Sequence, residues 1–502
     1  APLNQRIATP AFARFEKYHS LETGEDNQQG EKGIGLFSTT CIVVNMVMGC
    51  GFLALPSAFH DSGLVLGSIV LVIVTVLMTG TGFFEAEIMC RAELVMKARL
   101  KHKNVSQLKG NIADELKIGK HAFPMVELSE IFGSQRLKGF YTLSLVLLCF
   151  SAAWSYASVF GNAFAAYIPV PFLNSGGTCE KTDSTDSCME LYRFYILLFG
   201  IIAIPLSTLG VKEQELFQVV MTFLRFTLVV AMVGTTVQGL VTDTAVFGDV
   251  VKEDNISSTN DLLSLFRFQG LWSILSTSIF AQCLNTNISV VVHDMRDKAR
   301  LGTALASGMA VTCCFYLAIA LAVATFFQGG VASSCNVNWY SYHGGYPGEG
   351  ARPWWAAALS GFVVTFPALD VLSVYPLNAL IMAQNLMAFV YHDRVDKAEE
   401  DAVIKTTFRL AAALPPLLCA LSVSNLVSIL DYAGATVCLV SFIIPPYLNQ
   451  LSIKHIEDEF ETTKTRTPFS TLFSYALPSK ILIILGWVLF VGIIVMTAQA
   501  GG

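Results

Sequence analysis

The chain has 502 residues, 53% of them hydrophobic and only 14% charged, with a mean hydropathy of +0.56. Soluble domains carry roughly a quarter charged residues, so this composition excludes an ordinary water-soluble enzyme or nucleic-acid-binding protein and indicates a polytopic membrane protein. The formal net charge of −6 says little about partners, because the charges segregate by loop.

Residues 1–33 are polar and mixed in charge, without the apolar core of a signal peptide, and are expected to be a cytosolic tail. A membrane crossing needs about 20 apolar residues. Eleven segments qualify, near 36–58, 64–90, 138–168, 193–210, 216–242, 270–292, 302–327, 355–390, 405–422, 427–449 and 480–499. With the N-terminus in the cytosol, most of the 32 Lys and Arg fall in cytosolic segments. The outer loops hold Lys181, Arg193, Lys252, Arg267 and Arg352, a bias that follows the positive-inside rule. The C-terminus is then extracellular or lumenal. The outer loops also hold a sequon at Asn255, the expected glycosylation site, and the pair Cys179 and Cys188, expected to form a disulfide that leaves Cys335 free. Most of the 12 cysteines lie in apolar spans as small hydrophobes. Neither a Cys/His cluster nor a nucleophile–base pair suggests a metal centre or an enzyme.

The first span contains Asn45, Gly49, Gly51 and Pro56. Gly has low helix propensity, and Pro removes a backbone donor and clashes with the turn before it. Backbone groups freed at membrane depth persist only where protein or a polar cavity satisfies them. This span therefore reads as a broken helix lining a binding site. The sixth span carries the run Phe280 to Asn287, with Gln282, Asn285 and Asn287 as mid-membrane amides. Spans 1–5 and 6–10 can be superposed with opposite topology, which makes the two interruptions counterparts. The expected architecture is all-α, with eleven transmembrane helices, a five-plus-five inverted repeat of the LeuT type and discontinuous helices 1 and 6. Its parts are the tail 1–33, repeat one over 34–244, repeat two over 245–453, and a cytosolic loop with helix 11 over 454–502.

Several motifs in this order resemble the amino acid/auxin permease family, which includes sodium-coupled neutral amino acid transporters and vacuolar amino acid transporters. They are Asn45-x-x-x-Gly49-x-Gly51-x-Leu53-x-Leu55-Pro56, then Glu127-Leu128 with Phe132-Gly133, and Phe280 to Asn287 with His293-Asp294-Met295 and Arg300. Tyr375-Pro376-Leu377 and Gly434 with Ile444-Pro445 complete the set. The resemblance implies alternating-access transport of amino acids, neutral ones first. An amino acid sensor on the same fold, or a cationic or auxin-like substrate, is the alternative. The expected membrane is the plasma membrane or a vacuolar or lysosomal one, and the expected state is a monomer in the bilayer with no nucleic-acid partner.

The chemistry of such a site follows from the substrate. Bare N–H groups and the positive dipole end near Gly49, Cys50, Gly51 and Phe52 suit a carboxylate, and glycine lets a ligand approach the backbone. Phe280, Gln282, Asn285 and Asn287 are the candidate contacts from span 6. The resemblance assigns Asn45 to a sodium site, which Met48 and Ser373 would complete. Asp370, a carboxylate in span 8, and Arg225, in span 5, fall at similar depth and are expected to be neighbours. Either Asp370 joins Asn45 around a sodium ion, or the Arg225 guanidinium replaces sodium and the coupling proton rides on the Asp370 carboxylate, breaking the pair during the cycle. No other cofactor is expected. Glu85 and Glu87 are expected to snorkel or to pair with Arg91, and Asp431 to cap span 10.

Overall fold

The structure is a computed structural model. It describes residues 15, 34–100, 115–119, 121–173, 177, 179, 186–208, 215–242, 247, 265–286, 288–345, 352–391, 398 and 401–500. Asn255 and Asn287 lie outside the described residues.

The fold is helical. Span 1 is divided into α1 (Leu36–Val47) and α2 (Leu55–Ser62), joined by a 3-10 turn at Cys50–Leu53. α3 (Leu64–Leu100), the short α4 (Met125–Phe132), α5 (Gln135–Tyr167), α6 (Asp186–Thr208) and α7 (Glu215–Thr242) follow. Span 6 is again divided, into α8 (Leu271–Ala281) and α9 (Ile288–Asp294). α10 (Leu301–Phe327), α11 (Trp354–Tyr391) and α12 (Ala402–Ala420) come next. α13 (Leu426–Val437) continues through a π-helical turn at Cys438–Ile443 into α14 (Ile444–Phe460), and α15 (Ala476–Ala500) ends the chain. Among the described residues nine helical stretches are long and apolar enough to cross a bilayer, and each overlaps one of the segments expected from sequence. The two divided spans supply the remaining apolar segments in pieces too short to cross alone.

The apolar pattern sorts the helix faces. On α3, the exposed Ile69, Val72, Ile73 and Val76 recur at three- and four-residue spacing, which is one helix face turned to lipid. On α15 the exposed Leu477, Ile481, Ile484, Val488, Val491 and Val495 make the same kind of stripe. α5 is enclosed, packing against α6, α11, α12 and α13. The tight α12–α13 link is satisfied from two sides. Asn425 caps α13 by accepting from Val427 N at 3.0 Å and Ser428 N at 3.4 Å. Ser158 and Asn162 of α5 both donate to Ser424 O at 2.8 Å. The cap of α13 is thus Asn425, and Asp431 instead lies within the helix and accepts from Ser276 of α8. Between α5 and α6 Cys179 and Cys188 form a disulfide, and Cys335 is free and buried.

α3 has 37 residues, about 55 Å at 1.5 Å per residue, well beyond a hydrocarbon core of about 30 Å. Its excess does not stand in water: Phe84 to Met96 are buried throughout. Snorkelling is therefore not what its charged residues do. Arg91, 1% exposed, donates to Glu87 Oε2 at 2.7 Å, Asn449 Oδ1 at 2.5 Å and Ser452 Oγ at 3.0 Å, and to Thr465 O at 3.2 Å. Glu87 also accepts from Ser474. This network ties the C-terminal limb of α3 to α14 and to the segment leading into α15. Removing one partner of a buried ion pair leaves the other charge uncompensated, at a cost of about 3–5 kcal/mol. Arg91→Ala should therefore lower the thermal unfolding midpoint of the purified protein well below that of an exposed-residue control such as Lys454→Ala; equal midpoints would contradict the assignment.

Candidate functional site

The two breaks meet. Gly51, in the turn between α1 and α2, lies against the end of α8. A Cβ at position 51 would come 2.9 Å from Ala281 Cα and 3.2 Å from the Phe280 ring. The space that Gly51 opens is therefore filled by the partner helix, whereas sequence had assigned it to an approaching ligand. At Gly49 nothing lies within 4 Å of an added Cβ, so Gly49 keeps open space beside its backbone. α2 then departs with Pro56 in its first turn, where the missing N–H is not needed.

Broken helices leave unpartnered carbonyls, and two residues take them up. Tyr316 of α10 has its hydroxyl 3.0 Å from Val47 O and 3.1 Å from Ala281 O, the last carbonyls of α1 and α8. Its single proton serves one or the other, so it spans both breaks. No local signal marks Tyr316 in the sequence, where it reads as one more apolar aromatic. The second residue is Arg225 of α7. Its Nη1 donates to Asn45 Oδ1 at 2.8 Å and Asn45 O at 3.1 Å. Its Nη2 reaches both Asp370 oxygens at 2.8 Å, and Nε reaches Asp370 Oδ2 at 3.1 Å. A guanidinium thus sits at the carbonyl end of α1, where the helix dipole favours a cation, and holds α11 by a forked ion pair. The oxygens that would ligate sodium, Asn45 Oδ1, Asn45 O and the Asp370 carboxylate, all accept from Arg225, so this donor set does not fit a sodium ion. Ser373 spends its hydroxyl on Asp370 O at 2.7 Å, and Met48 is the buried residue that ends α1.

A small cleft opens beside this pair, lined by Gly49, Cys50, Phe52, Arg225, Phe366 and Asp370 among others. Cys50 Sγ lies 3.4 Å from Ser155 Oγ on α5. Phe280, Gln282 and Asn285 do not line this pocket. Gln282 Nε2 donates to Thr75 Oγ1 at 2.9 Å, and Asn285 Oδ1 accepts from Thr81 Oγ1 at 3.0 Å, so both amides brace the span 6 break against α3. Gln282 Oε1 and Asn285 Nδ2 remain buried without a partner.

Two helix breaks that cross, one of them lining a pocket, inside a bundle of membrane-crossing helices are the features of a membrane transporter. The chain belongs to the family described as transmembrane amino acid transporter protein, which it matches over residues 32–497. It is similar to a transmembrane protein 104 homolog of Caenorhabditis elegans, 22% identical over 352 residues, covering 68% of this chain and 66% of that protein. It is also similar to transmembrane protein 104 homologs of Dictyostelium discoideum, 22% identical with 87% and 92% covered, and of Drosophila melanogaster, 18% identical with 81% and 86% covered. Among solved structures, an Eremococcus coleocola manganese transporter matches with a TM-score of 0.43 at 13% identity, over 92% of this chain and 94% of that one.

The two glycines make a test of the crossing. A methyl added at position 51 must push two backbones apart, at about 1–3 kcal/mol for overpacking, while one at position 49 meets open space. Gly51→Ala should lower the thermal midpoint of the purified protein and Gly49→Ala should leave it near wild type. The reverse order would refute the geometry.

Proposed function

We propose that this chain is a secondary active transporter that moves amino acids, neutral ones first, by alternating access. The observation that carries the reading is the pair of helix breaks crossing at Gly51 and Ala281 in a chain that matches the amino acid transporter family over residues 32–497. In this reading the two divided spans join the nine continuous ones to make eleven, arranged as an inverted five-plus-five repeat. Two contacts agree with that arrangement: Arg296 N donates to Ile34 O at 3.1 Å, joining the start of span 1 to the exit of span 6. On the other side, Arg267 N donates to Ser62 O at 2.7 Å, joining the end of span 1 to the approach to span 6.

The substrate carboxylate would take the backbone N–H groups of Cys50 and Phe52, beside the open space at Gly49; the Gly49 N–H itself donates to Val47 O at 2.7 Å. A neutral side chain is favoured because Asp370, the carboxylate of this pocket, is already neutralised by Arg225. The same pair supports a proton as coupling ion. The guanidinium lies between Asn45 Oδ1 and Asp370, and Arg does not deprotonate in proteins.

Counterflow in proteoliposomes with a panel of labelled L-amino acids tests the substrate class. Exchange of at least one neutral amino acid is expected, and exchange of none would overturn the transport reading. Replacing sodium by choline should leave that exchange unchanged, whereas loss of exchange in choline would overturn the ion assignment.

A further inference from the structure

We propose that Glu85 is a proton-binding site of this transporter, the carboxyl that takes up and releases the coupling proton as the span 6 break moves. The proposal rests on the proton-coupled reading above and adds the residue that carries the proton.

Glu85 is 1% exposed, and its Oε2 has no hydrogen-bond partner among the described residues. An ionised carboxylate buried without a partner costs far more than the neutral acid, so a group in this place is held as COOH. Asp370 is the opposite case, because its charge is matched by three guanidinium contacts. Protonating Asp370 would forfeit that pair and strand Arg225.

Among the described residues the surroundings of Glu85 contain no compensating cation. Its own helix offers Arg91, but that guanidinium is committed to Glu87, Asn449, Ser452 and Thr465. On α4, Glu127 meets His121 at 3.2 Å and Glu130 meets Lys138 at 2.8 Å. On α14, His455 meets Glu459 at 2.7 Å, and Lys454, Glu457 and Asp458 are exposed. On α9, His293 is exposed. α2 carries His60 and Asp61 beside the start of α3, about 30 Å from Glu85 at the helical rise. α8 and α10 carry no acidic or basic residue. Across the bundle, Tyr141 of α5 is the titratable group in electrostatic contact with Glu85, with Cys283 and Cys149 around that tyrosine.

Its position connects it to the moving part. Glu85 follows Thr81 by one turn on the same face of α3, and Thr81 donates to Asn285 in the break. A Cβ on Gly82 would meet Ile288 at 3.2 Å and Leu284 at 3.4 Å, so the start of α9 lies directly on this face. A shift of α9 away from α3 would admit water to Glu85. The O–H bond of the acid then breaks, the proton passes to water, and the carboxylate left behind is hydrated. Return of α9 expels that water and requires a proton to come back to the same oxygen. Asn285 Nδ2, a buried donor without a partner in this state, is available to partners that a shifted break would supply.

Infrared difference spectroscopy of the full chain in lipid nanodiscs tests the proton directly and needs no substrate. It therefore reports on Glu85 even if amino acid transport fails. At neutral pH, wild type minus Glu85→Gln should contain a protonated-carboxyl C=O band that shifts in heavy water, and the band should persist in Asp370→Asn. Absence of the band, or its loss in Asp370→Asn, overturns the assignment. In proteoliposomes given a labelled mixture of neutral L-amino acids, stimulation by an imposed pH gradient is read relative to each variant's own counterflow. That stimulation should be lost in Glu85→Gln and kept in Glu85→Asp with a shifted pH midpoint. Wild-type stimulation in Glu85→Gln overturns the coupling role. Should the Gln variant not fold, Glu85→Asp decides the matter: an unmoved carboxyl band and an unmoved pH midpoint together overturn it.

Discussion

The structure depends on one constraint: a backbone polar group at membrane depth must find a partner inside the protein. The chain breaks two of its spans, which frees carbonyls at the ends of α1 and α8. It then satisfies them from outside the broken helices, with Tyr316 between Val47 and Ala281 and with Arg225 on Asn45. These two side chains come from α10 and α7, so the breaks are held by the helices around them. Any rearrangement of the breaks must hand those carbonyls to other donors.

The crossing itself is a matter of size. Gly51 against Ala281 brings two backbones together without side chains between them, as small residues do at membrane helix contacts. Gly434 repeats the device on the other side of α8, where an added Cβ would lie 2.4 Å from Ser276 O. α8 is thus clasped between the turn of span 1 and α13, and the Ser276–Asp431 contact fixes its rotation. α9 leads to the start of span 1 through Ile34 and Met295, and it packs on α1 and α3 with Ile288, Val291 and Val292 buried. The C-terminal limb of α3 is fastened to α14 through Arg91.

Much of this was legible in the residues, for reasons that differ from part to part. Long apolar runs need no tertiary information, so most continuous spans fell within a few residues of their expected limits; the exceptions are α3 and α14, which run on past the expected ends at 90 and 449 to Leu100 and Phe460, and α6, which starts at Asp186 and not at 193. The breaks were legible because Gly49, Gly51 and Pro56 act locally on the backbone, and because Phe280 to Asn287 places amides where lipid excludes them. Asp370 and Arg225 could be expected as neighbours from their similar depth within the expected five-plus-five architecture. What sequence could not reveal were contacts decided by how helices turn against one another. Gly51 was assigned to a ligand because nothing local tells whether the space beside a glycine is empty. Tyr316 was not singled out, since its role lies in a hydroxyl pointing at two distant carbonyls. Asp431 was read as a cap by its place near a helix start, although Asn425 stands at the true boundary. Glu85 and Glu87 looked alike, two residues apart on one helix, yet they point to opposite neighbourhoods.

That last pair, set beside Asp370, shows how one side-chain chemistry is given three roles by environment. Glu87 is buried with the Arg91 guanidinium and the Ser474 hydroxyl on its two oxygens, and it serves as cement. Asp370 is buried with a guanidinium that also caps a broken helix, so its charge is part of the site's architecture. Glu85 is buried, and its Oε2 has no partner among the described residues, a setting that favours the neutral acid. Carboxyl groups whose surroundings favour opposite protonation states divide the labour of an acid and a base in enzymes. In the proposal above the same division separates a fixed charge at Asp370, paired with Arg225, from a transferable proton at Glu85, beside the start of α9.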